Sequence, residues 1–407
     1  MGKSLVAVVR AGEDVELAVR NAVELAGGLE GIVTSKSKIL VKPNVASRDR
    51  SGTGKITDAR VTRAITKIVL EKNPRSVTIG EGSAIGFDFP ERQDTVSALE
   101  ESGTKTVAEE LGVPLVDLNA DDHEEVEVPQ PLVMESVKIA QTVLDSNVII
   151  SVPVLKTHIR SAVTLSLKNM KGAMPGEEKK KTHRLGLEMA IADLNSVIRP
   201  HFVVVDGLMG MEGLWEYPDD CVPMGLVGAG RDPVAVDATF ARIAGVTPGE
   251  IAHLRHSQKK GLGAFAPEEI EVAGVQVSEV LRPFRRAFEV LQSRYPGLKI
   301  LAEKACTGCT NEFISTLIYL REAQQVGKLK DLTVIMGEGA QNLKGGKAVV
   351  LGNCGRNGNE NLPHVPGCPP KVDDITRKVC EVCDIDVKLV FAKRDELHRL
   401  TSGKGLR

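Results

Sequence analysis

The sequence predicts an α/β protein of two domains, and three observations predict it. Short β-branched runs alternate with stretches of helical periodicity, the rhythm of βαβ units in a largely parallel sheet. Most of these runs are apolar throughout rather than alternating, as expected for strands covered on both faces. The segment SRYPG at 293–297 then breaks the pattern with Pro and Gly, a natural boundary in a chain of 407 residues, which is long for one core.

LVAVVR (5–10) is the first expected strand, followed by a helix over 14–26. KILVKPN (38–44), SVTIGEG (76–82), VPLVDL (113–118), NVIISVPVLKTH (147–158) and FVVVDG (202–207) read as further strands. Helices are expected over DARVTRAITKIVLEK (58–72) and near 93–111, 184–198 and 278–292. The charge-dense GEEKKKTH at 176–183 reads as a mobile loop. Beyond the boundary, LKILA, DLTVIM, KAVVLG and IDVKLVFA form a smaller α/β set. The expected division is a mostly parallel-sheet N-terminal domain over 1–293, a second domain over 297–395 and a tail over 396–407.

Composition excludes several classes of function. A net charge of −2 with both signs spread along the chain leaves no basic footprint for nucleic acid. Aromatics at 3% supply no stacking platform for bases or sugars. No apolar run reaches the roughly 18–20 residues that span a bilayer, and the charged start lacks a secretory apolar core, so a cytoplasmic protein is expected. In such a compartment, seven cysteines arranged partly as CxxC pairs point to metal or redox chemistry rather than to disulfides.

Several strands end in chemistry-bearing residues: KPN at 42–44, EG at 81–82, KTH at 156–158 and DG at 206–207. In a parallel sheet these ends converge on the carboxyl edge, where ligands bind. SLKNMKGAMPG at 166–176 adds fixed positive charge and backbone donors. Lys42, Asn44, Lys168, Asn169, Lys171 and Asp206 are therefore the candidate binding residues for an anionic small molecule, a carboxylate or phosphate. Lys156, His158 and His183 are the candidate acids or bases. Each has a plainer reading: a lone strand-end lysine is usually a solvated tip, and His183 sits among lysines. Asp232 and Asp237 in GRDPVAVDA are explained locally as a turn and a cap for a helix with Pro233 in its first turn.

The C-terminal hundred residues carry CTGCTNEF at 306–313, GNCGRNGN at 352–359 and VPGCPP at 365–370. Cys306 and Cys309 can place two sulfurs on one centre, while Cys354 and Cys368 arrive from later loops beyond apolar runs. Four thiolates suit an iron–sulfur cubane or a structural zinc. The helical CxxC of Cys380 and Cys383 reads as two packed small hydrophobes, with redox activity or replacement ligation as the alternative, and Cys221 reads as packed.

Over about 297–395, the three motifs resemble, in order, the proximal-cluster domain of nickel–iron hydrogenase small subunits. The resemblance implies a flavodoxin-like α/β iron–sulfur domain and a 4Fe–4S cluster on Cys306, Cys309, Cys354 and Cys368. The chain departs from that family in having Asn311 directly after CTGCT, with Glu312 one place later. Over about 36–245, KPN, KTH, SLKNMKG, His183, VVVDG and GRDPVAVDA are similar to the uncharacterised group catalogued as domain of unknown function 362, often described as iron–sulfur-centre proteins. A more distant architectural likeness to nickel-pincer racemases carries no residues over.

Together these readings lead to the expectation of an iron–sulfur oxidoreductase that passes single electrons to an anionic substrate or cofactor held by the first domain. The alternatives are a non-enzymatic electron-transfer subunit and a racemase or lyase with a structural cluster. A redox partner protein is expected, with a homodimer left open.

Overall fold

The computed structural model describes residues 2–84, 95–158, 161–213, 220–286, 289–290, 293–302, 305, 307–338 and 346–401. The chain separates into two compact units. The first takes residues up to Thr157, Val163–Pro248 and His253–Phe284; the second takes His158–Ala162, Gly249–Ala252 and the chain from Arg285.

The strands, in chain order, are β1 Ser4–Arg10, β2 Lys38–Pro43, β3 Ser76–Glu81, β4 Leu115–Asp117, β5 His123–Glu127, β6 Ser136–Ala140, β7 Val148–Val152, β8 Val154–His158, β9 Ala162–Thr164, β10 Phe202–Met211, β11 Cys221–Gly230 and β12 Ile270–Gly274. Their sheet runs β12-β1-β11-β10-β7-β2-β3-β4, with β8 paired to β10 off this path and β5 with β6 forming a separate ribbon. Along that path the pairings are parallel except at β11, which runs against both β1 and β10. The sheet is thus large, mixed and mostly parallel.

Side-chain alternation along the strands sorts the core into two layers. Ile39 and Val41 of β2 and Val148 and Ile150 of β7 pack with the helices Val15–Leu25 and Ala59–Leu70. Leu40 and Ile149 face the other way, toward Met170, Ala190 and Leu194 of the helical segment after β9. Each such fully buried side chain contributes about 1.5–3 kcal/mol. The helix Ala59–Leu70 starts where the sequence predicts, because the Asp58 carboxylate accepts the Arg60 N–H and satisfies an end that has no carbonyl partner.

Three segments differ from expectation. GEEKKKTH is not a loop: Gly176–Leu185 is a helix, with Glu177 and Glu178 in its first turn and ion pairs Glu177–Lys180 and Glu178–Lys181 along it. The helix expected near 93–111 is, among its described residues, two helices, Thr95–Glu101 and Thr104–Leu111, parted at Gly103 with φ +79°. The helix expected near 278–292 is interrupted at Pro283: Val277–Val280 forms a turn before it, the described residues 289, 290 and 293 beyond it are helical, and 287, 288, 291 and 292 lie outside the described residues.

The second unit has a four-stranded sheet of β13 Lys299–Leu301, β14 Leu332–Met336, β15 Lys347–Leu351 and β16 His364–Val365, all parallel. The strands lie in sequential order, whereas a flavodoxin-like sheet begins 2-1-3, so the flavodoxin-like expectation holds here only as a parallel α/β layer. IDVKLVFA is not a strand but opens the helix Val387–Thr401, where the Asp386 carboxylate accepts the Lys388 N–H. Apolar Val387, Val390 and Phe391 follow helical spacing, and that period prevails over the local β-branched content.

Candidate functional site

β2 and β3 are adjacent, so their carboxyl ends bring Lys42 and Glu81 together. Lys42 Nζ lies 2.8 Å from Glu81 Oε1, and the two side chains are 0% and 2% exposed. The same ammonium donates to Asn169 Oδ1 and to the Pro43 carbonyl, both at 3.3 Å. Glu81 also accepts the N–H groups of Val45 at 3.0 Å and Gly82 at 2.8 Å. Asn169 donates to the Lys42 carbonyl and the Ser151 hydroxyl, and Asn44 Nδ2 donates to Asn169 Oδ1 at 3.0 Å. Asn44 Oδ1 is buried without a hydrogen-bond partner. Lys42, expected among the anion-binding residues, has its charge met by Glu81, and burial pushes its pKa down. Lys42 and Asn169 tie the ends of β2 and β3 to the short helix Ser166–Asn169.

Lys179 has the same character and was missed in the sequence, where it is one of three successive lysines. Its Nζ donates to Gly82 O at 2.6 Å, Ser83 O at 3.2 Å and Asn119 Oδ1 at 2.7 Å. Lys179 is buried, Lys180 half-buried and Lys181 half-buried. On the helix Gly176–Leu185 only one member of the triplet can face the sheet, a signal visible only once the segment is known to be helical.

Lys156, on β8, is 1% exposed and donates to the main-chain oxygen of Lys55. Burial and the nearby Lys168 charge bring its pKa down to about 7. Lys168, on the short helix Ser166–Asn169, is half-buried and has no hydrogen-bond or ion-pair partner among the described residues. Burial lowers it to about 8, against an opposing pull from Glu188. Lys171 on the following turn lies 3.1 Å from His183 Nε2, joining two expected site residues. His158, at the end of β8, falls in the second unit.

The aspartates are structural. Asp206, expected among the binding residues, accepts the N–H groups of Asp58 at 2.7 Å and Leu208 at 3.0 Å and so ties β10 to the start of a helix. Its burial raises its pKa to about 7. Asp232 caps the helix Pro233–Ile243, as read locally, and Asp237 accepts the N–H groups of Ser166 and Leu167, which anchors the helix bearing Lys168. Behind that helix, Glu188 and His253 form a buried pair at 2.7 Å. A surface cavity of ≈ 550 Å³ lined by Val96, Leu99, Ala108 and Leu115 shares no residue with this lysine group.

In the second unit, Cys309 lies in the first turn of the helix Thr307–Glu322, and Cys306 lies outside the described residues. The Cys354 and Cys368 loops follow β15 and β16 and are laced together: Gly352 N–H donates to Val365 O, Asn353 N–H to Gly367 O, and Gly367 N–H to Asn353 Oδ1. A Cβ built on Gly352, at φ +81°, would stand 2.6 Å from Cys309 Sγ and 3.6 Å from Gly367 O. The glycine therefore lets three cysteine-bearing segments approach at one sheet edge. Cys354 and Cys368 are exposed and Cys309 half-buried. Among the described residues, no group of three or more His, Cys, Asp or Glu closes on a single metal ion. Cys380 and Cys383 are buried within the helix Val372–Cys383, and burial pushes the Cys380 thiol up to about 11, which suits packing rather than thiolate chemistry. Cys221 donates to Thr53 O and stands apart.

Among known proteins, the chain is 25% identical over 282 residues to the thylakoid-associated protein sll1697 of Synechocystis sp. (strain ATCC 27184 / PCC 6803 / Kazusa), covering 65% of this chain and 84% of that one. The lactate racemase apoprotein from Thermoanaerobacterium thermosaccharolyticum is similar at a TM-score of 0.41 and 12% identity, over 86% of this chain and 69% of that one. A structure of a Thermotoga maritima protein gives a TM-score of 0.37 and 10% identity, over 87% and 93%. Among the described residues, no helix is long and apolar enough to cross a membrane. The family described as "Domain of unknown function (DUF362)" matches residues 39–242, the stretch that carries the lysine-rich edge, and the chain belongs to that family.

Proposed function

We propose that the protein is an iron–sulfur oxidoreductase acting on an anionic organic substrate bound by the lysine-rich edge of its first unit. The observation that carries the reading is the approach of the Cys309, Cys354 and Cys368 segments around Gly352. Cys306, Cys309, Cys354 and Cys368 would hold a 4Fe–4S cluster, which when bound supplies single electrons. In the first unit, Lys168 and the nearby Lys171 offer charge to a carboxylate or phosphate, and Lys168 is not neutralised by a carboxylate as Lys42 is. The buried Lys42–Glu81–Asn169 network keeps that edge rigid without reorganisation. The His183 ring beside Lys171 is placed to give or take a proton at a bound anion.

Anaerobically prepared protein should be brown and carry about four iron per chain. After dithionite reduction, an authentic substrate should reoxidise it, and a separate redox protein should serve as electron donor. One zinc with no visible absorption would remove the reading.

The low pKa of Lys156, about 7, favours a second reading. A neutral buried amine can act as a base, as a racemase or lyase requires. Substrate turnover without any change in the iron spectrum would select it.

A further inference from the structure

We propose that Lys168 is a covalent site that forms an imine with a carbonyl compound bearing a carboxylate, a 2-oxo acid in chemical class. The inference rests on the reading of this edge as an anion site, and is independent of the cluster.

Four observations meet at this lysine. Lys168 is half-buried and lacks a hydrogen-bond or ion-pair partner among the described residues, whereas Lys42 and Lys179 are each held by three acceptors. Its helix is held at the first two N–H groups by the buried Asp237 carboxylate, so the side chain springs from a fixed base. Lys156, close enough for its charge to be affected by Lys168, is itself held on the Lys55 carbonyl. Glu188, paired with His253 in the interior, also acts on the Lys168 charge.

The chemistry follows from that setting. An ammonium has no lone pair, so imine formation requires the amine, and desolvation by burial is a recognised way to obtain it. Lys168, lowered to about 8, presents an appreciable fraction of amine near neutrality. Its Nζ adds to the carbonyl carbon while a proton passes from nitrogen to oxygen, giving a carbinolamine. Loss of one water then leaves the C=N bond, with no oxidant or reductant required. Lys171 supplies charge for the carboxylate of the same molecule.

The test uses the full chain, pyruvate as the probe and cyanoborohydride to trap any imine, with peptide mapping by mass spectrometry. A single reductive adduct on Lys168 is expected, absent in K168R. E188Q removes the carboxylate that opposes the fall in the Lys168 pKa, so trapping at pH 7 should speed up and its pH profile should move downward. Burial and the Glu188 charge set this profile, while Lys168, Asp49, Glu81 and Lys55 act on the neighbouring Lys156. Circular dichroism of both variants separates a folding defect from a chemical one. Label spread over surface lysines at equal rates, or undiminished in K168R, overturns the proposal. Oxalate, which has no ketone or aldehyde carbonyl, separates the layers: thermal stabilisation by oxalate without a Lys168 adduct refutes the imine and leaves the anion site. Neither binding nor adduct refutes both.

Discussion

Glu81→Gln is the sharpest perturbation of the first unit. The native carboxylate meets three donors: Lys42 Nζ at 2.8 Å, Val45 N at 3.0 Å and Gly82 N at 2.8 Å. A carboxylate accepts on both oxygens, whereas an amide has one acceptor and one donor end. Whichever way the substituted amide turns, its NH₂ faces either the Val45 N–H or the Lys42 ammonium with its Gly82 neighbour. Lys42 is fully buried, so its charge would lose its carboxylate partner. Breaking one side of a buried ion pair costs about 3–5 kcal/mol, whereas replacing both sides by apolar groups is often neutral or stabilising.

Urea denaturation followed by far-UV circular dichroism at pH 7 reads the effect. E81Q should lose about 3–5 kcal/mol, and K42M/E81L should recover most of it. A loss below about 1 kcal/mol in E81Q would show that the pair is solvated. A double variant no better than E81Q would show that the cost lies in backbone distortion and not in the orphaned charge. Either result refutes the view of Lys42 as a neutralised strut.

Other expectations follow from the same geometry. C309A and C368A should bring iron to background, while C380A and C383A should leave it bound; G352A should also lose iron, because its Cβ would crowd Cys309 Sγ at 2.6 Å. Gly172→Ala should destabilise by about 1–3 kcal/mol, the usual cost of overpacking, because the new methyl would stand 2.5 Å from Lys42 Nζ and collide with Glu81. Burial brings Lys156 and Lys179 to about 7 from an ordinary 10.5, so between those values the unfolded chain binds protons that the folded chain has released. The lysine contribution to stability should therefore rise with pH across that window, and the penalty is full below 7; K179M should flatten the slope in pH-dependent denaturation.

The parallel sheet was legible because β2, β7 and β10 are buried on both faces, and such strands write themselves as unbroken apolar runs. The convergence of KPN and EG was legible too, since parallel neighbours must end on the same edge. Two things were not. In GEEKKKTH the local charge pattern reads as loop or helix alike, and the buried anchor, Lys179 against Gly82 and Asn119, lies 97 and 60 positions away. Likewise IDVKLVFA has the composition of a strand, and only the cap at Asp386 and its helical face decide otherwise.

The state of each charge was the least legible property, and it matters most for function. Lys42, Lys168 and Lys171 look equivalent in sequence as cations beside glycine-rich or strand-end segments. In the fold they divide by partner: Lys42 has Glu81, Lys171 has His183, and Lys168 has neither a carboxylate nor a carbonyl within bonding distance among the described residues. A buried charge must be paired, neutralised by losing its proton, or left for a ligand to satisfy. Lys42 follows the first course and Lys156 the second, held on a carbonyl that accepts from an amine as well as from an ammonium. Lys168 is left between the second and the third, and that is the physical ground for seeking the substrate there rather than at the more deeply buried lysines.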